Sequence, residues 1–277
     1  MDLNTLCKAI NLPEPVIEAV MGFEMTEEQY QKYKNSFKKE REVFFGEVCN
    51  KSNYRQIFLY LYLRFSCDAY EEYCLRGISD EIYFNTFSDI TLWCGNCFRD
   101  FGEYGIEQYY WLSRHIELKI FRLGRLQFEP AAFNTTVTVN GGRINKGDLV
   151  LKVHIPQGQS LKHDACESSF KMAEKFFRGI PPIFVCNSWL LYPGLKDILG
   201  PNTNIIQFQN FFTIYDRDED CRQAEERIFN TISDVPDTYP ENTSLQKDAK
   251  AYLIAGKKLG NGLGIMYNLC LYKSSKE

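Results

Sequence analysis

The stretch from Leu149 to Trp189 constrains this chain more than any other, because its pattern predicts one compact folding unit. Residues 149–155 are rich in aliphatic and β-branched side chains, which predicts a buried strand that a proline and a glycine then end. Ser160 is a suitable N-cap for a helix that runs to about Phe177, and residues 183–189 predict a second strand. This order predicts a βαβ-like unit with two parallel strands and a right-handed crossover.

Ligands on a βαβ-like unit usually bind at the carboxyl ends of the strands, beside the N-terminus of the helix. In this chain that location holds His154, near the end of the first strand, and Asn187 and Ser188, near the end of the second. Tyr192 follows shortly after them. The sequence therefore predicts that a functional site lies near these residues.

Length and composition indicate a folded protein of two domains and exclude two classes of partner. The chain has 277 residues, of which 44% are hydrophobic and 25% are charged, so apolar side chains for a core are available. The net charge is -4 and no basic run is present, so nucleic-acid binding is not expected. The longest apolar run, residues 57–63, is too short to span a membrane, and no signal-peptide pattern is present. We therefore expect a cytoplasmic protein with neither a nucleic-acid nor a membrane partner.

The ten cysteines are scattered along the chain and predict free thiols that pack as small hydrophobic side chains. Cys94 and Cys97 form the one CxxC pair. A zinc site needs a second pair or histidines at matching spacing, but Cys67 and Cys74 are poorly spaced and His115 is isolated. A redox pair of the thioredoxin type would follow a strand, whereas this pair lies inside a helical pattern. We expect no metal site.

The first part of the chain has the periodicity and capping signals of an almost wholly helical domain. Asp2 and Ser79 each precede a segment with helical periodicity and begin a predicted helix. Thr26 begins another helix and has the capping-box spacing to Gln29. These signals predict a helical N-terminal domain over residues 1–115.

After the helical domain the pattern changes to strands and predicts a second domain over residues 116–277. Residues 118–129 alternate apolar and polar side chains at both ends, which predicts one half-buried strand with Gly124 at a bulge or kink. The dipeptide Asn140-Gly141 predicts a hairpin turn. The second domain therefore begins as an antiparallel meander that leads into the βαβ-like unit.

The remaining pattern completes an α/β (α+β) fold in which helices flank a mixed sheet. Beyond the βαβ-like unit we predict a short helix from Pro193 to Leu199, a strand over 205–215, a helix over 216–230, a helix from Ser244 to about Lys257, a helix cap and turn over 257–262, and a closing strand over 265–272.

Four short stretches of sequence indicate a family resemblance that the order of helices and strands alone does not. They are Trp-Leu-Ser-Arg-His at 111–115, Phe-Arg-Leu-Gly-Arg-Leu-Gln-Phe at 121–128, Val-His-Ile-Pro at 153–156 and Cys-Asn-Ser-Trp-Leu at 186–190. Together with the order of elements, they resemble one bacterial family that joins a helical N-acyltransferase N-terminal domain to a GNAT-like C-terminal domain. GNAT proteins are N-acyltransferases that use acyl-CoA. The resemblance covers most of the chain.

The resemblance implies where a CoA cofactor would bind. In a GNAT fold the strand before the pyrophosphate loop and the following strand splay apart, and the pantetheine arm of CoA bonds to the exposed strand edge. The implied strands here are residues 150–155, including Val153 and Ile155, and residues 183–188. The loop and the N-terminus of the helix hold the pyrophosphate through backbone N–H groups. The implied loop consists of Gln157, Gly158, Gln159 and Ser160.

The resemblance also implies roles for the polar residues at the strand ends. Acyl transfer to an amine needs a base for the amine, a polarised thioester carbonyl and a proton for the leaving thiolate. His154 is the candidate base, and Asn187 and Ser188 are candidates for binding the thioester or ordering a water molecule. Tyr192 is the candidate donor of a proton to the thiolate, since a phenol has an ordinary pKa near 10.

Two functional hypotheses follow from the sequence. The first is an acyltransferase that moves an acyl group from acyl-CoA to an unidentified small-molecule or peptide amine. Acetyl-CoA is the first candidate donor, and another acyl-CoA is the second. The second is a non-catalytic GNAT-like module that binds another small molecule or a protein. The second has support because the loop has one glycine, Gly158, where such enzymes usually carry two small residues. The sequence does not indicate the oligomeric state.

Overall fold

The computed structural model describes residues 1–139 and 141–267 of the chain. The α-helices are Leu3–Ala9 (α1), Glu14–Met21 (α2), Glu27–Lys39 (α3), Arg41–Cys49 (α4), Tyr54–Leu75 (α5), Asp80–Phe101 (α6), Tyr109–Ile116 (α7), His163–Phe176 (α8), Asn204–Gln209 (α9), Gln223–Phe229 (α10) and Ser244–Ile254 (α11). The strands are Phe121–Leu123 (β1), Leu126–Ala132 (β2), Val137–Val139 (β3), Gly142–Ile144 (β4), Leu149–His154 (β5), Ile183–Ser188 (β6), Thr213–Asp218 (β7) and Asn261–Tyr267 (β8). Short 3-10 helices span Trp189–Leu191, Pro193–Asp197 and Pro236–Thr238.

The chain divides into two compact units. The first comprises residues 1–123 and 156–158, and the second comprises residues 124–155 together with the described residues from 159 onward. The first unit contains α1 to α7 and β1, and the second contains the remaining elements.

The helical unit confirms the capping signals of the sequence. Asp2 accepts a hydrogen bond from the backbone N–H of Thr5 at 2.9 Å and begins α1. Thr26 and Gln29 form the predicted capping box at the start of α3, and Ser79 caps α6. These side chains satisfy backbone N–H groups that the first helical turn leaves unpaired.

The core of the helical unit is built mainly from aromatic side chains on α3, α4 and α5. Phe44 and Phe58 are fully buried and lie 5.9 Å apart edge to face, while Phe37 stacks on Phe65 at 5.1 Å. Edge-to-face and stacked pairs of this kind add a modest stabilisation to the burial of the rings themselves. The aromatic run on α5 is therefore a core element.

The second unit is organised around a mixed sheet. Within this unit the strand order of the sheet is β2-β5-β6-β8-β7, and β3 and β4 form a separate two-stranded sheet. Strand β5 pairs with β2 in antiparallel and with β6 in parallel, which confirms the predicted βαβ unit. Phe170 of α8 packs on Phe128 of β2 and Phe184 of β6, with ring centroids 5.8 and 5.0 Å apart. The predicted mixed α/β fold is confirmed.

The predicted strand over 118–129 is wrong in two respects. The structure has two strands, β1 and β2, joined by a turn at Gly124, whose φ is +69°. A side chain at Gly124 would also come within 2.9 Å of Ser169 Oγ. The polar face of β2 is not solvated, because Gln127 and Glu129 are only 1% and 6% exposed.

Other predicted elements in the second unit also need correction. Residues 205–215 form α9 and the beginning of β7, not one strand. Gly262 lies inside strand β8 and not in a turn, because the backbone of Leu191 packs where its side chain would be. Helix α8 begins at His163, three residues after the predicted N-cap.

Two predictions concern residues outside the described part of the chain. The hairpin strands β3 and β4 pair with Val137 opposite Ile144, and Gly141 has a φ of +77°. Asn140, the other residue of the predicted turn, lies outside the described residues. The closing strand is present as β8 up to Tyr267, and residues 268–272 of the prediction lie outside the described range.

Candidate functional site

Strands β5 and β6 pair over a short length and then separate. Their parallel ladder consists of Leu151 with Phe184 and Lys152 with Val185. Strand β5 nevertheless continues to His154 and β6 to Ser188. Beyond Lys152 and Val185, no described residue of β5 pairs with a described residue of β6. The facing backbone edges of the two strands therefore border an opening in the sheet. Unpaired strand edges carry N–H and C=O groups that can bind an extended ligand.

His154 lies at the end of β5, next to this opening, and contacts a buried carboxylate. Its Nε2 is 3.1 Å from Oε2 of Glu129 on β2. The side chain of His154 is 23% exposed, whereas that of Glu129 is 8% exposed. The imidazole is therefore fixed by a group in the protein interior and is still accessible to an incoming molecule.

Asn187 and Ser188 have different surroundings although they are adjacent on β6. Asn187 is exposed, and its Oδ1 accepts a hydrogen bond from Nδ2 of Asn261 at 3.2 Å. Ser188 is buried, and its hydroxyl accepts a hydrogen bond from the backbone N–H of Leu190 at 3.2 Å. Asn187 can contact a ligand from this position, whereas Ser188 stabilises the turn that follows β6.

The strand register shows on which face of the sheet the polar residues lie. Lys152 is paired with Val185, so the residues two positions further along, His154 and Asn187, point to the same face. They lie on opposite sides of the opening between β5 and β6. The structure therefore brings these two predicted site residues to one face of the splayed strands.

Tyr192 is placed in a different environment, among apolar side chains that include Leu195, Ile206 and Phe229. It is 6% exposed, and burial raises the pKa of its phenol. Its ring lies beside Gly194, where a side chain would collide with both Tyr192 and Tyr252. No described contact joins Tyr192 to His154, Asn187 or Ser188.

The segment between β5 and α8 holds the predicted phosphate loop. Val153 is buried in the sheet and Ile155 is partly exposed immediately after it. Gly158 has a φ of +91°, a conformation that side chains of L-residues rarely adopt. Gln157 and Gly158 cluster with the helical unit, where Oε1 of Gln157 accepts a hydrogen bond from Asn96 at 3.0 Å.

Arg125 fixes the part of this segment that belongs to the second unit. Its guanidinium donates hydrogen bonds to the backbone carbonyls of Gln159 at 2.7 Å and Ser160 at 3.2 Å. The hydroxyl of Ser160 accepts a hydrogen bond from Asn204 at 2.8 Å, and it does not cap α8. Arg125 is only 6% exposed, so these bonds hold the loop from the protein interior.

The N-terminus of α8 has no capping side chain. Its N-cap residue is Lys162, which makes no side-chain hydrogen bond to the first helical turn. The backbone N–H groups of the first turn of a helix carry partial positive charge and attract anions such as phosphate. The helix thus presents a suitable anion-binding end directly after the splayed strand and its loop.

Three contributors to the site were not identified as functional from sequence. Glu129 contacts His154, Asn261 contacts Asn187, and Arg125 holds the loop. Arg125, Gln127 and Glu129 alternate with apolar residues, which predicts a half-buried strand, but all three side chains are buried. A run of polar residues at period two beside a strand that ends in a histidine is the signal that could have indicated them.

One of the four family-like stretches, residues 111–115, contacts a buried carboxylate of the helical unit, that of Asp89, which is 2% exposed. Trp111 donates to Asp89 Oδ2 through its indole N–H at 2.8 Å and Trp93 does so at 3.3 Å. His115 Nε2 lies 3.4 Å from the same oxygen. His115 is only 1% exposed, so this cluster acts inside the helical core.

The described cysteines have free thiols, of which those of Cys7, Cys94, Cys97, Cys166 and Cys186 are buried. In the described part of the chain no group of three or more His, Cys, Asp or Glu side chains is arranged to hold a metal ion. Cys94 and Cys97 are buried on α6 with free thiols, and burial raises their pKa values to about 12 and about 11. Thiols with raised pKa values are poor nucleophiles at neutral pH.

Comparison with protein families identifies both units. A family model described as an N-acyltransferase N-terminal domain matches residues 1–118. A second, described as a GNAT-like C-terminal domain, matches residues 120–266, which is more than half of the chain. The chain belongs to this two-domain N-acyltransferase family. The resemblance inferred from the sequence is thereby confirmed.

Solved structures of acyltransferases share the fold of this N-acyltransferase family member. One, an acyltransferase in complex with decanoyl-CoA and teicoplanin, is 22% identical with a TM-score of 0.75, and the match covers 95% of this chain and 87% of that chain. Another, an acyltransferase mutant in complex with octanoyl-CoA, is 21% identical with the same TM-score, and the match covers 96% and 87%. A search of curated proteins gives no match.

The helices give no indication of a membrane span. Among the described residues, none of the helices is both long enough and apolar enough to cross a bilayer.

Proposed function

We propose that this protein is an N-acyltransferase that moves an acyl group from acyl-CoA to an amine. The observation that carries the proposal is the opening between β5 and β6, which begins after Lys152 and Val185. A loop and an uncapped helix follow it directly. We also propose that residues 1–115 and 116–277 act as the helical and catalytic domains.

The residues present fit acyl-CoA in three ways. The open backbone edge of β5 after Lys152, at Val153 and Ile155, would pair with the amide groups of the pantetheine arm. The turn at Gly158 and the loop carbonyls held by Arg125 leave loop N–H groups and the first turn of α8 to bind the pyrophosphate. Gln157, Gln159 and Ser160 are the other proposed loop contacts.

In the proposed reaction the amine nitrogen attacks the thioester carbonyl carbon. A C–N bond forms, the C–S bond breaks, and the amine proton passes to the imidazole of His154. Asn187, on the other side of the opening, would bind the carbonyl oxygen or order a water molecule. Ser188 supports this end of β6 through its bond to Leu190.

The CoA thiolate needs a proton as it leaves. Tyr192 is our proposed donor, because it follows the end of β6 by four residues and a neutral phenol carries a proton that it can donate. In a Tyr192→Phe variant the step would be slower, with unchanged binding of CoA. An unchanged rate would assign the proton to His154 or to water.

The structural relatives inform the choice of substrates. They are described as complexes with decanoyl-CoA, octanoyl-CoA and teicoplanin. Octanoyl-CoA and decanoyl-CoA are therefore tested as acyl donors together with acetyl-CoA, the donor that the sequence alone favours. The proposed acceptor is a small-molecule or peptide amine.

The test begins with calorimetric titration of the reduced protein with CoA, acetyl-CoA, octanoyl-CoA and decanoyl-CoA. We expect micromolar binding that a Gly158→Val substitution weakens about tenfold or more, because the left-handed backbone costs an L-residue roughly 1–2 kcal/mol. Gly200→Val is the matched control, since Gly200 is exposed with open space around its Cα.

Catalysis is then measured by mass spectrometry of N-acylated product over a panel of amines. Direct detection of the product avoids interference from the exposed thiol of Cys74. Failure of a folded sample to bind all four CoA compounds would overturn the proposal and favour the non-catalytic binding module. Binding without transfer to any amine in the panel would favour that module as well.

A further inference from the structure

We propose that Glu129 is a positioning residue that holds His154 with its ring proton on Nε2, so that Nδ1 is the nitrogen that accepts the proton of the amine. The inference rests on the proposed acyl transfer, and it specifies which atom acts as the base. It also assigns a function to a carboxylate that lies in the sheet interior on the strand next to β5.

The strand register explains why Glu129 reaches His154. Gln127 of β2 is directly opposite His154 of β5, and Glu129 is directly opposite Lys152. Residues paired across antiparallel strands point to the same face, so these four side chains share one face of the sheet. Glu129 is the diagonal neighbour of His154, at a separation that long side chains span. The resulting distance between Oε2 and Nε2 is 3.1 Å.

The chemistry of the pair determines the tautomer. An ionised carboxylate can only accept hydrogen bonds, so the ring nitrogen that contacts it must carry a proton. In the neutral ring the other nitrogen, Nδ1, then holds the lone pair that a base requires. The structure therefore predicts an Nε2–H tautomer for neutral His154.

The neighbouring charges favour an ionised Glu129. Lys152 is directly opposite it on β5 and shares its face of the sheet. Gln127 is neutral and only 1% exposed. An opposite charge in the vicinity stabilises a carboxylate, which compensates for its low exposure of 6%.

The pairing has a consequence for the reaction. When Nδ1 accepts the amine proton, the ring becomes positively charged, and the carboxylate of Glu129 stabilises that charge without taking the proton. The C–N bond can then form while the ring keeps its orientation. After the C–S bond breaks and Tyr192 protonates the thiolate, the imidazolium loses its proton to solvent, the Tyr192 phenolate regains one from solvent, and the imidazole returns to the same tautomer.

The first experiment reads the tautomer directly by NMR of protein labelled with ¹⁵N at histidine. The chain contains only three histidines, so three pairs of ring signals are expected and His154→Gln assigns one of them. We expect neutral His154 to have a protonated Nε2 and an unprotonated Nδ1. In Glu129→Gln this preference is lost or reversed. A protonated Nδ1 in the wild type, or an unchanged tautomer in Glu129→Gln, would overturn the inference.

The second experiment measures the pH profile of kcat/KM. We expect Glu129→Gln to lose about tenfold to a hundredfold in kcat/KM, less than the roughly 10²–10⁴-fold that acid–base catalysis contributes, because the base itself remains. We also expect the acidic limb of the profile to move to lower pH, because an imidazole without its carboxylate binds its proton less tightly. Glu226→Gln is the matched control, since Glu226 is exposed on α10.

The outcomes separate this inference from the proposed function. A wild-type protein that transfers no acyl group overturns the proposed function, while the NMR experiment still tests the tautomer. An active wild type whose Glu129→Gln variant keeps its rate and its pH profile overturns the role of Glu129 alone. Loss of rate without a shift of the profile would indicate a purely structural role and would also overturn it. Binding of CoA by Glu129→Gln shows that the variant is folded.

Discussion

Lys152 and Val185 form the last pair of the ladder between β5 and β6. On its other side, β5 remains paired with β2 up to His154, which lies opposite Gln127. Strand β6 likewise remains paired with β8 up to Ser188, which lies opposite Gly262. Each strand is therefore fixed along one edge while the edges that face each other are open. This arrangement is a preformed opening and not a frayed sheet end.

Substitution of Arg125 should weaken CoA binding, because its guanidinium holds the backbone carbonyls of the proposed pyrophosphate loop. Replacing it with methionine removes the hydrogen bonds to the carbonyls of Gln159 and Ser160, each worth roughly 1.5–3 kcal/mol when the donor is charged. We expect the dissociation constant for CoA to rise about tenfold or more. Calorimetry of Arg125→Met beside Arg143→Met, an exposed arginine in the same unit, measures the effect. Equal affinities of the two variants would show that the loop needs no support.

The βαβ unit and the helix caps could be predicted from the sequence because their signals are local. Residues 149–189 contain a run of β-branched residues, a turn and a segment with helical periodicity. This order predicts a βαβ unit, and the parallel pairing of β5 with β6 confirms it. Capping is also local, since Thr26 and Gln29 are three residues apart. The sequence therefore predicts the central part of the fold of the second unit.

Other features depended on contacts between distant residues. The period of two in residues 125–129 separates two faces but does not show whether the polar face is solvated, and Glu129 is buried against β5. The apolar composition of residues 205–212 suits a strand and a short buried helix equally well, and Phe208 packs in the latter. Gly262 belongs to a predicted turn, yet it lies in β8 because the backbone of Leu191 occupies the space of a side chain.

Asp89 should be essential to the stability of the helical unit. The Asp89→Asn substitution removes the charge to which Trp93, Trp111 and His115 are directed. Breaking a buried charged network of this kind costs about 3–5 kcal/mol. Urea unfolding followed by tryptophan fluorescence would measure the loss, since the chain has three tryptophans and two of them contact this carboxylate.

The control for Asp89 is Asp100→Asn, because Asp100 is exposed at the end of the same helix. Its substitution should change the free energy of unfolding by less than about 0.5 kcal/mol. Similar unfolding midpoints for the two variants would contradict a central role for the cluster.

The protein should lose stability at alkaline pH through its buried thiols. Burial raises the pKa of Cys186 from 9.0 to about 12, so the folded state holds the proton more tightly than the unfolded state. The stabilisation is complete below pH 9 and is lost as the pH rises toward 12. The buried thiol of Cys94, whose pKa is also raised to about 12, acts in the same direction.

Urea midpoints measured at several pH values between about 8 and 11 test this dependence. Cys186→Ala should reduce the slope of stability against pH above about 9, whereas Cys74→Ala, at an exposed position, should leave it unchanged. Stability that stays constant up to about pH 11 would contradict the prediction.

Asn187 and Ser188 allow catalysis and folding to be separated at adjacent positions. Asn187 is exposed beside the opening, so Asn187→Ala should lower kcat/KM by about a hundredfold if its amide binds the carbonyl oxygen in the transition state, with little change in Tm. Ser188 is buried and bonds to the backbone N–H of Leu190, so Ser188→Ala should lower the free energy of unfolding by about 0.5–1.5 kcal/mol. Its kcat/KM should remain close to that of the wild type, because its hydroxyl already has a partner in the turn. A Ser188→Ala variant that is stable but inactive, beside an active Asn187→Ala variant, would move the proposed carbonyl contact from the exposed amide to the buried hydroxyl.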